Sequence, residues 1–228
     1  MTEQASNDEN PATGDLDGEV ELIAAERLIF FSDAVVAIAI TLLALTLTPP
    51  LLGENATNRD VLAALWTSGR RLEYIAFLVS FMVIANHWRS HHRLFRYVSR
   101  LDERLVTLNL LWLLMIVLTP FASRLVSGNG GFGVRFGLYA GVQLVTLTSF
   151  LLMSRHIKRH ALLRPHAPPP TTDSDDASIL TVAALFAVSI PFAFIPAVGQ
   201  WAFVFWIVSG PAARARRRLR ERPQPQAR

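Results

Sequence analysis

The chain has 228 residues, a hydrophobic fraction of 51%, no cysteine and a formal net charge of +4. Several apolar segments reach the roughly 18 residues that a membrane-spanning helix needs, so the composition disfavours a water-soluble protein. The absence of cysteine excludes a disulfide framework and a thiolate metal site. These features predict an all-α membrane protein.

The N-terminal segment is polar and acidic. Eight acidic residues and no lysine or arginine precede Arg27, and no cleavable signal peptide is visible. We predict that residues 1–22 form a disordered, acidic cytoplasmic tail. The first membrane span then runs from about Leu28 to Thr48 and stops at Pro49-Pro50.

Further apolar segments follow in order. A loop with a short amphipathic piece leads to the second span, residues 72–88, and a third span covers about Leu105–Val126. A glycine-rich turn joins the third span to a fourth at about Val134–Met153. After a polar, proline-rich linker, a last apolar stretch, about Ser178–Gly210, is interrupted by prolines and predicts one kinked span or two short ones.

Positive charge decides between these alternatives. The linker after the fourth span carries four basic residues, and the segment from Arg214 to Arg228 carries seven arginines. Both should be cytoplasmic by the positive-inside rule, which requires two crossings between them. The prediction is six transmembrane helices at residues 23–210, a basic cytoplasmic tail at 211–228 and both termini in the cytoplasm, with 17 of the 22 basic residues inside.

Asp33 lies in the first third of the first span, next to Ser32. A carboxylate at the centre of a membrane helix costs about 2.5–3.5 kcal/mol by insertion scales, so its position indicates a function. An alternative is that Ser32 and Asp33 are only the N-cap of a helix that starts there. That alternative would leave the apolar residues Leu28 to Phe31 outside the helix.

A second polar cluster, HWRSHH, ends the second span. His87 and His91 are four residues apart, a spacing that metal sites use, but no carboxylate or cysteine accompanies them, so we predict no metal site. Antiparallel packing instead predicts that Ser32 and Asp33 meet His87 and Trp88 at one membrane depth, with Asn109 of the third span able to join. A proton-sensing role for a histidine near Asp33 is a secondary hypothesis.

Beyond the carboxylate, Ile38, Leu42 and Leu45 form one stripe along the first span. Taken alone, the stripe favours core packing or lipid contact. The sequence shows no carbonyl-type selectivity filter, no voltage-sensor arginine ladder, no phosphate-binding loop and no enzyme motif. It therefore predicts neither an enzyme nor a cofactor, and the basic tail indicates membrane orientation and lipid contact rather than nucleic-acid binding.

The motif Arg27-x-x-x-Phe31-Ser32-Asp33, followed by AVVAIAITLLAL, resembles the signature of prokaryotic members of the transmembrane protein 175 family, the endolysosomal potassium channels. The segment HWRSHHRLF and the region after Asn109 are also similar to that family, and the resemblance covers about residues 27–210. It implies a homotetramer with six helices per subunit, in which the first helix lines the pore and aliphatic rings form the constriction.

By position, the resemblance implies that Ile38 forms the narrowest ring, that Leu42 and Leu45 form further rings, and that Thr41 lies beside the pathway. It implies that Arg27, Phe31, Ser32 and Asp33, with His87, Trp88 and Asn109 as partners, tie the pore helix to its neighbours. A closed hydrophobic gate of this kind excludes ions by dewetting. The expected function is a potassium-permeable cation channel in a cell membrane.

Two other hypotheses remain open on the sequence. A proton-coupled secondary transporter would use Asp33 and the His87/His91 cluster as a proton relay, although the first span lacks the glycine breaks typical of such proteins. A membrane assembly or signalling protein that conducts no ions is the third.

Overall fold

The computed structural model describes residues 11–160, 162–164, 167, 171 and 173–195, and this part of the chain is helical. The helices are α1 (Pro11–Leu42), α2 (Asn58–Leu65), α3 (Ser68–Phe95), α4 (Glu103–Ser127), α5 (Phe132–Arg159) and α6 (Asp173–Phe192). A 3₁₀ turn, Leu43–Thr46, continues α1. The prediction of an all-α protein is confirmed.

Within the described residues, four segments are long and apolar enough to cross a membrane. They are Gly18–Thr46, Glu103–Ser127, Phe132–Arg159 and Asp175–Phe192. The second predicted span forms α3. It is not one of these four segments, because charged and polar residues close to both ends of its apolar stretch lower its mean hydropathy. The predicted sixth span and the basic tail lie outside the described residues.

The first helix begins earlier than the sequence indicated. We predicted disorder for residues 1–22, yet α1 starts at Pro11, so residues 11–22 are helical. Proline is favoured at the first helical position, and the glutamate, leucine and alanine residues that follow propagate a helix readily once the adjoining span has nucleated it. Residues 1–10 lie outside the described part of the chain.

Helix α4 is the centre of the bundle, because it packs against α1, α3 and α5, while α6 packs against α5. One apolar cluster joins α1, α3, α4 and α5 and includes Leu43, Ile84, Trp112 and Met153. A second joins α4, α5 and α6 around Phe136. The buried residues of α1, α3, α4 and α5 thus hold α1 in a fixed position against its neighbours.

The connections define the two ends of the bundle. At one end, the α4–α5 turn is the predicted glycine-rich turn. Gly130 in this turn has a φ of 100°, which residues with a side chain rarely adopt. The Arg135 guanidinium donates hydrogen bonds to four carbonyls around the turn. At the other end, the α3–α4 link and the segment after α5 lie side by side, joined by main-chain hydrogen bonds from Ser99 N to Leu162 O and from Arg164 N to Tyr97 O. The sequence predicts that both of these segments are cytoplasmic.

Candidate functional site

Helix α1 has a buried face that carries Ser32, Val36, Ala39 and Leu43. These positions recur every three to four residues, which is the spacing of one helix face. The helix passes through Ser32 and Asp33 without interruption, so the alternative that these residues cap a helix starting there is wrong. The buried face is polar at Ser32 and apolar beyond it.

Three helices meet at Ser32 through a chain of hydrogen bonds. The Ser32 hydroxyl donates to Leu28 O at 2.8 Å and accepts from Asn109 Nδ2 at 2.9 Å. Asn109 Oδ1 in turn lies 2.7 Å from His91 Nε2, which must carry the proton because the amide oxygen can only accept. The His91 ring lies between Phe95 and Trp112, with ring centroids 4.3 and 4.4 Å away. This chain ties α1 to α4 and α3.

Asp33 has a different partner. Its Oδ1 accepts a hydrogen bond from the indole nitrogen of Trp88 at 2.9 Å, and the carboxylate is half-buried. A carboxylate in an apolar region needs a hydrogen-bond donor, and the Trp88 indole supplies one. Trp88 and Asn109 are therefore brought to α1 as the sequence predicted.

His87 does not join this group. Its Nε2 lies 3.1 Å from Gln143 Oε1 on α5, and Gln143 Nε2 donates to Thr119 at 3.4 Å. A further buried contact nearby joins Ser80 to Ser123 at 2.8 Å. The predicted contact between His87 and Asp33 is thus replaced by a separate polar layer that joins α3, α4 and α5. Sequence reasoning missed Gln143, whose amide in the middle of an apolar span was the available signal.

The opposite face of α1 is exposed on the subunit. The exposed fractions are 52% for Phe31, 59% for Ile38, 40% for Leu42 and 72% for Leu45. Arg27 and Thr41 are also exposed, and the Thr41 hydroxyl donates to Ile38 O within the helix at 2.8 Å. We call Ile38, Leu42 and Leu45 the exposed stripe. Of the two interpretations that the spacing alone favoured, core packing or lipid contact, this exposure excludes core packing within one subunit, and the side chains face lipid, another copy or a pathway.

The described residues offer little to a metal ion. They contain no group of three or more histidine, aspartate or glutamate side chains arranged to hold one. Asp33, His87 and His91 each make a hydrogen bond within the bundle. The arrangement therefore anchors a helix on one face and leaves an aliphatic surface on the other.

These features define a multi-pass helical membrane protein in which one helix has an anchored face and an apolar exposed face. Residues 27–120 match the family described as the endosomal/lysosomal potassium channel TMEM175. A potassium channel of Streptomyces collinus is 30% identical over 176 residues, which cover 75% of this chain and 83% of that protein. The chain belongs to the TMEM175 family, which is a family of channels and not of enzymes.

Other proteins that are similar to this chain are also named as channels. A potassium channel of Chamaesiphon minutus is 35% identical over 135 residues, 57% of this chain and 64% of that protein. The human endosomal/lysosomal proton channel TMEM175 is 28% identical over 117 residues, but these cover only 22% of its length. The crystal structure of a lysosomal potassium-selective channel TMEM175 homolog from Chamaesiphon minutus matches with a TM-score of 0.62 and 27% identity, covering 82% of this chain and 98% of that one.

Proposed function

We propose that the protein is a potassium-permeable cation channel of a bacterial or archaeal plasma membrane. Two bacterial relatives and the matching crystal structure carry the name of a potassium channel, and the first of these relatives is matched over most of its length. The observation that carries the proposal within this chain is the exposed stripe, since Ile38 remains 59% exposed on a helix whose other face is firmly anchored.

The channel is proposed to be a homotetramer with six membrane helices per subunit, the sixth formed by residues after 195. Both termini lie in the cytoplasm in this arrangement, and lipids surround the assembly. Four copies of α1 surround the central axis, each turned so that the exposed stripe faces inward. Large apolar side chains on α3 and α4, such as Met82 and Phe121, are also exposed on the subunit, where lipid or a neighbouring copy covers them in this arrangement.

Ile38 is proposed to form the narrowest ring, with Leu42 and Leu45 as further rings and Thr41 beside the pathway. A ring of four isoleucine side chains excludes a hydrated cation and closes the pathway by dewetting. Opening requires α1 to tilt or to rotate. Selectivity for potassium then follows from the lower cost of removing water from the larger ion, and it should be modest because no carbonyl oxygens replace the lost water.

Arg27, Phe31, Ser32 and Asp33 are proposed to anchor the pore helix rather than to bind the ion. The hydrogen bonds from Trp88 to Asp33 and from Asn109 to Ser32 support this role. They also weaken the transporter alternative, because the donor to Asp33 is an indole that does not titrate, while His87 and His91 bind amide oxygens.

The proposal is tested by flux of potassium and sodium into liposomes that contain the purified protein. Ile38→Asn should raise potassium flux several-fold and reduce the discrimination against sodium, because an amide keeps the constriction wet. Ile75→Asn is the matched control, since Ile75 on α3 is 57% exposed and the substitution is the same. Equal flux in wild type and both variants would contradict the pore assignment.

The oligomer is measured on the same sample by light scattering, with an expected mass of about four times the 25.3 kDa of one chain. A proton-flux measurement is added because the animal relatives are named proton channels. Flux driven by a pH gradient that saturates and is lost in Asp33→Asn, with assembly intact, would favour the transporter instead.

A further inference from the structure

Helix α1 begins about four turns before Leu28, where the sequence predicts the start of the first membrane span, and this extension is acidic. Glu19, Glu21 and Glu26 lie on its described part. The extension therefore places fixed negative charge next to the predicted cytoplasmic links, which are rich in arginine.

Two of these glutamates form ion pairs. Glu21 Oε2 lies 2.7 Å from Arg100 Nε, at the α3–α4 link. Glu26 Oε1 lies 3.9 Å from the guanidinium nitrogen Nη2 of Arg164, in the segment after α5. The hydrogen bond and the charge of Glu21 raise the pKa of Arg100 further above its ordinary value. Both pairs are largely exposed to solvent.

The two arginines belong to one small unit. The links that carry Arg100 and Arg164 are joined by the main-chain bonds between Ser99 and Leu162 and between Arg164 and Tyr97. They consequently move together, and the extension of α1 is paired with a single surface built from α3, α4 and α5.

The spacing of the glutamates gives the pairs a specific mechanical effect. Glu21 and Glu26 are five residues apart, which corresponds to about 140° around an α-helix. A single contact restrains the distance of a helix from its neighbour, whereas two contacts at separate angles also resist rotation about the helix axis. Ile38 lies twelve residues beyond Glu26 on the same continuous helix, or about 18 Å along it.

We propose that Glu21 and Glu26, with Arg100 and Arg164, are positioning residues that set the rotation of α1 and thereby the open probability of the channel. This inference rests on the proposed function. None of the four residues touches the ion; they act through Ile38. Because exposed ion pairs are weak and are screened by salt, with a Debye length of about 8 Å at physiological ionic strength and about 3 Å at 1 M, the restraint responds to cytoplasmic ionic strength.

The first experiment is a charge swap recorded in planar bilayers. Glu21→Arg and Arg100→Glu should each change the open probability by about two- to fivefold, the range expected for a surface ion pair, and the double swap should restore it. The ratio of potassium to sodium permeability should stay unchanged, and the effect of each single variant should shrink when cytoplasmic salt is raised to about 1 M.

Glu19→Gln is the control, because Glu19 is exposed on the same extension and makes no ion pair with any described residue. It should leave the open probability unchanged. Additive effects of the two swaps, or a change in the permeability ratio, would overturn the positioning role.

The second experiment tests the contact without any current. The chain contains no cysteine, so Glu21→Cys with Arg100→Cys introduces two unique thiols. A short bifunctional thiol reagent should cross-link them within one chain in the membrane-embedded full-length protein, as detected by mass spectrometry, whereas Glu19→Cys with Arg100→Cys should not react in this way. Failure of the first pair to cross-link would overturn the contact between Glu21 and Arg100. A cross-link in a protein that carries no potassium current would overturn the proposed function while the contact stands.

Discussion

The two faces of α1 differ in what they contact, although their residues are interleaved along the same stretch of the chain. Side chains on the buried face make hydrogen bonds and pack closely, and Ser32 and Leu43 are fully buried. The exposed stripe has side chains of similar chemistry but is only partly covered within the subunit, and Leu45 is 72% exposed only two residues from Leu43. The comparison teaches that the hydrophobic pattern of a membrane helix does not distinguish its packed face from its exposed face, whereas the contacts that anchor one face do.

The largest expected effect tests this difference with two leucines. Leu43→Ala should lower the free energy of unfolding by about 2–4 kcal/mol, because it leaves a cavity in the core that joins α1, α3 and α4. Leu45→Ala should cost less than about 0.5 kcal/mol, as expected for a site without such packing. Denaturant unfolding in detergent measures both. Equal losses would remove the distinction between the two faces.

Next in size is Asn109→Ala, which removes the partner of both Ser32 and His91. Leaving buried polar groups without a partner costs about 1–3 kcal/mol, so the unfolding midpoint should fall clearly. Asn129→Ala in the exposed α4–α5 turn is the control and should have little effect. If the two variants unfold alike, the polar chain at Ser32 does not anchor α1.

A smaller effect is expected for Trp88→Phe, which keeps an aromatic ring but deletes the donor to Asp33. The loss should be about 1 kcal/mol, since the bond is charge-assisted but partly exposed. Trp66→Phe, at an exposed position outside the bundle, is the matched control. A larger loss in the control than in Trp88→Phe would count against the anchoring role of Asp33.

The smallest effect concerns Asp102, which caps α4 and accepts a 2.5 Å hydrogen bond from His156. Burial alone would raise the pKa of Asp102, but the hydrogen bonds from Leu105 and His156 and the charges of His156 and His160 outweigh it and lower the pKa below 3.8. A lowered pKa stabilises the folded state above about pH 4, and this contribution is lost as the pH falls through the folded-state value.

Asp102→Asn keeps a capping side chain and removes the charge. After allowance for solvent screening, the stability lost at pH 7 should be about 0.5 kcal/mol or less, and the difference from wild type should disappear as the pH falls through the folded-state pKa of Asp102. Thermal unfolding at several pH values measures it, with Glu54→Gln as the exposed control. A difference that grows as the pH falls would show that the sign is wrong.

Much of the fold followed from residue patterns, since span lengths and the distribution of arginine depend only on local composition. The contact of Asp33 with Trp88 was predictable because both lie near the same end of antiparallel spans. The partner of His87 was not, because it depends on how α3 is rotated about its axis. Four residues turn a helix by about 40° beyond a full turn, which is enough to direct His91 to Asn109 and His87 to Gln143.

The exposed stripe shows the same limit. Its spacing alone favoured core packing or lipid contact over a pathway, because an aliphatic stripe usually serves one of those two roles. The resemblance to a known family assigned these residues to the ion pathway, and Ile38 is exposed in the subunit. The helical extension before residue 23 was missed since acidic composition alone does not reveal that a neighbouring helix will continue through it.

The end of the first helix has a consequence for the alignment of its side chains. From Leu43 to Thr46 the backbone is wound as a 3₁₀ turn, in which residues three apart lie almost directly in line. Leu42 and Leu45 therefore point in nearly the same direction, one above the other. Rewinding this turn into an α-helix would swing Leu45 by about 60° relative to Leu42 while the buried Asn109 and Trp88 contacts stayed in place.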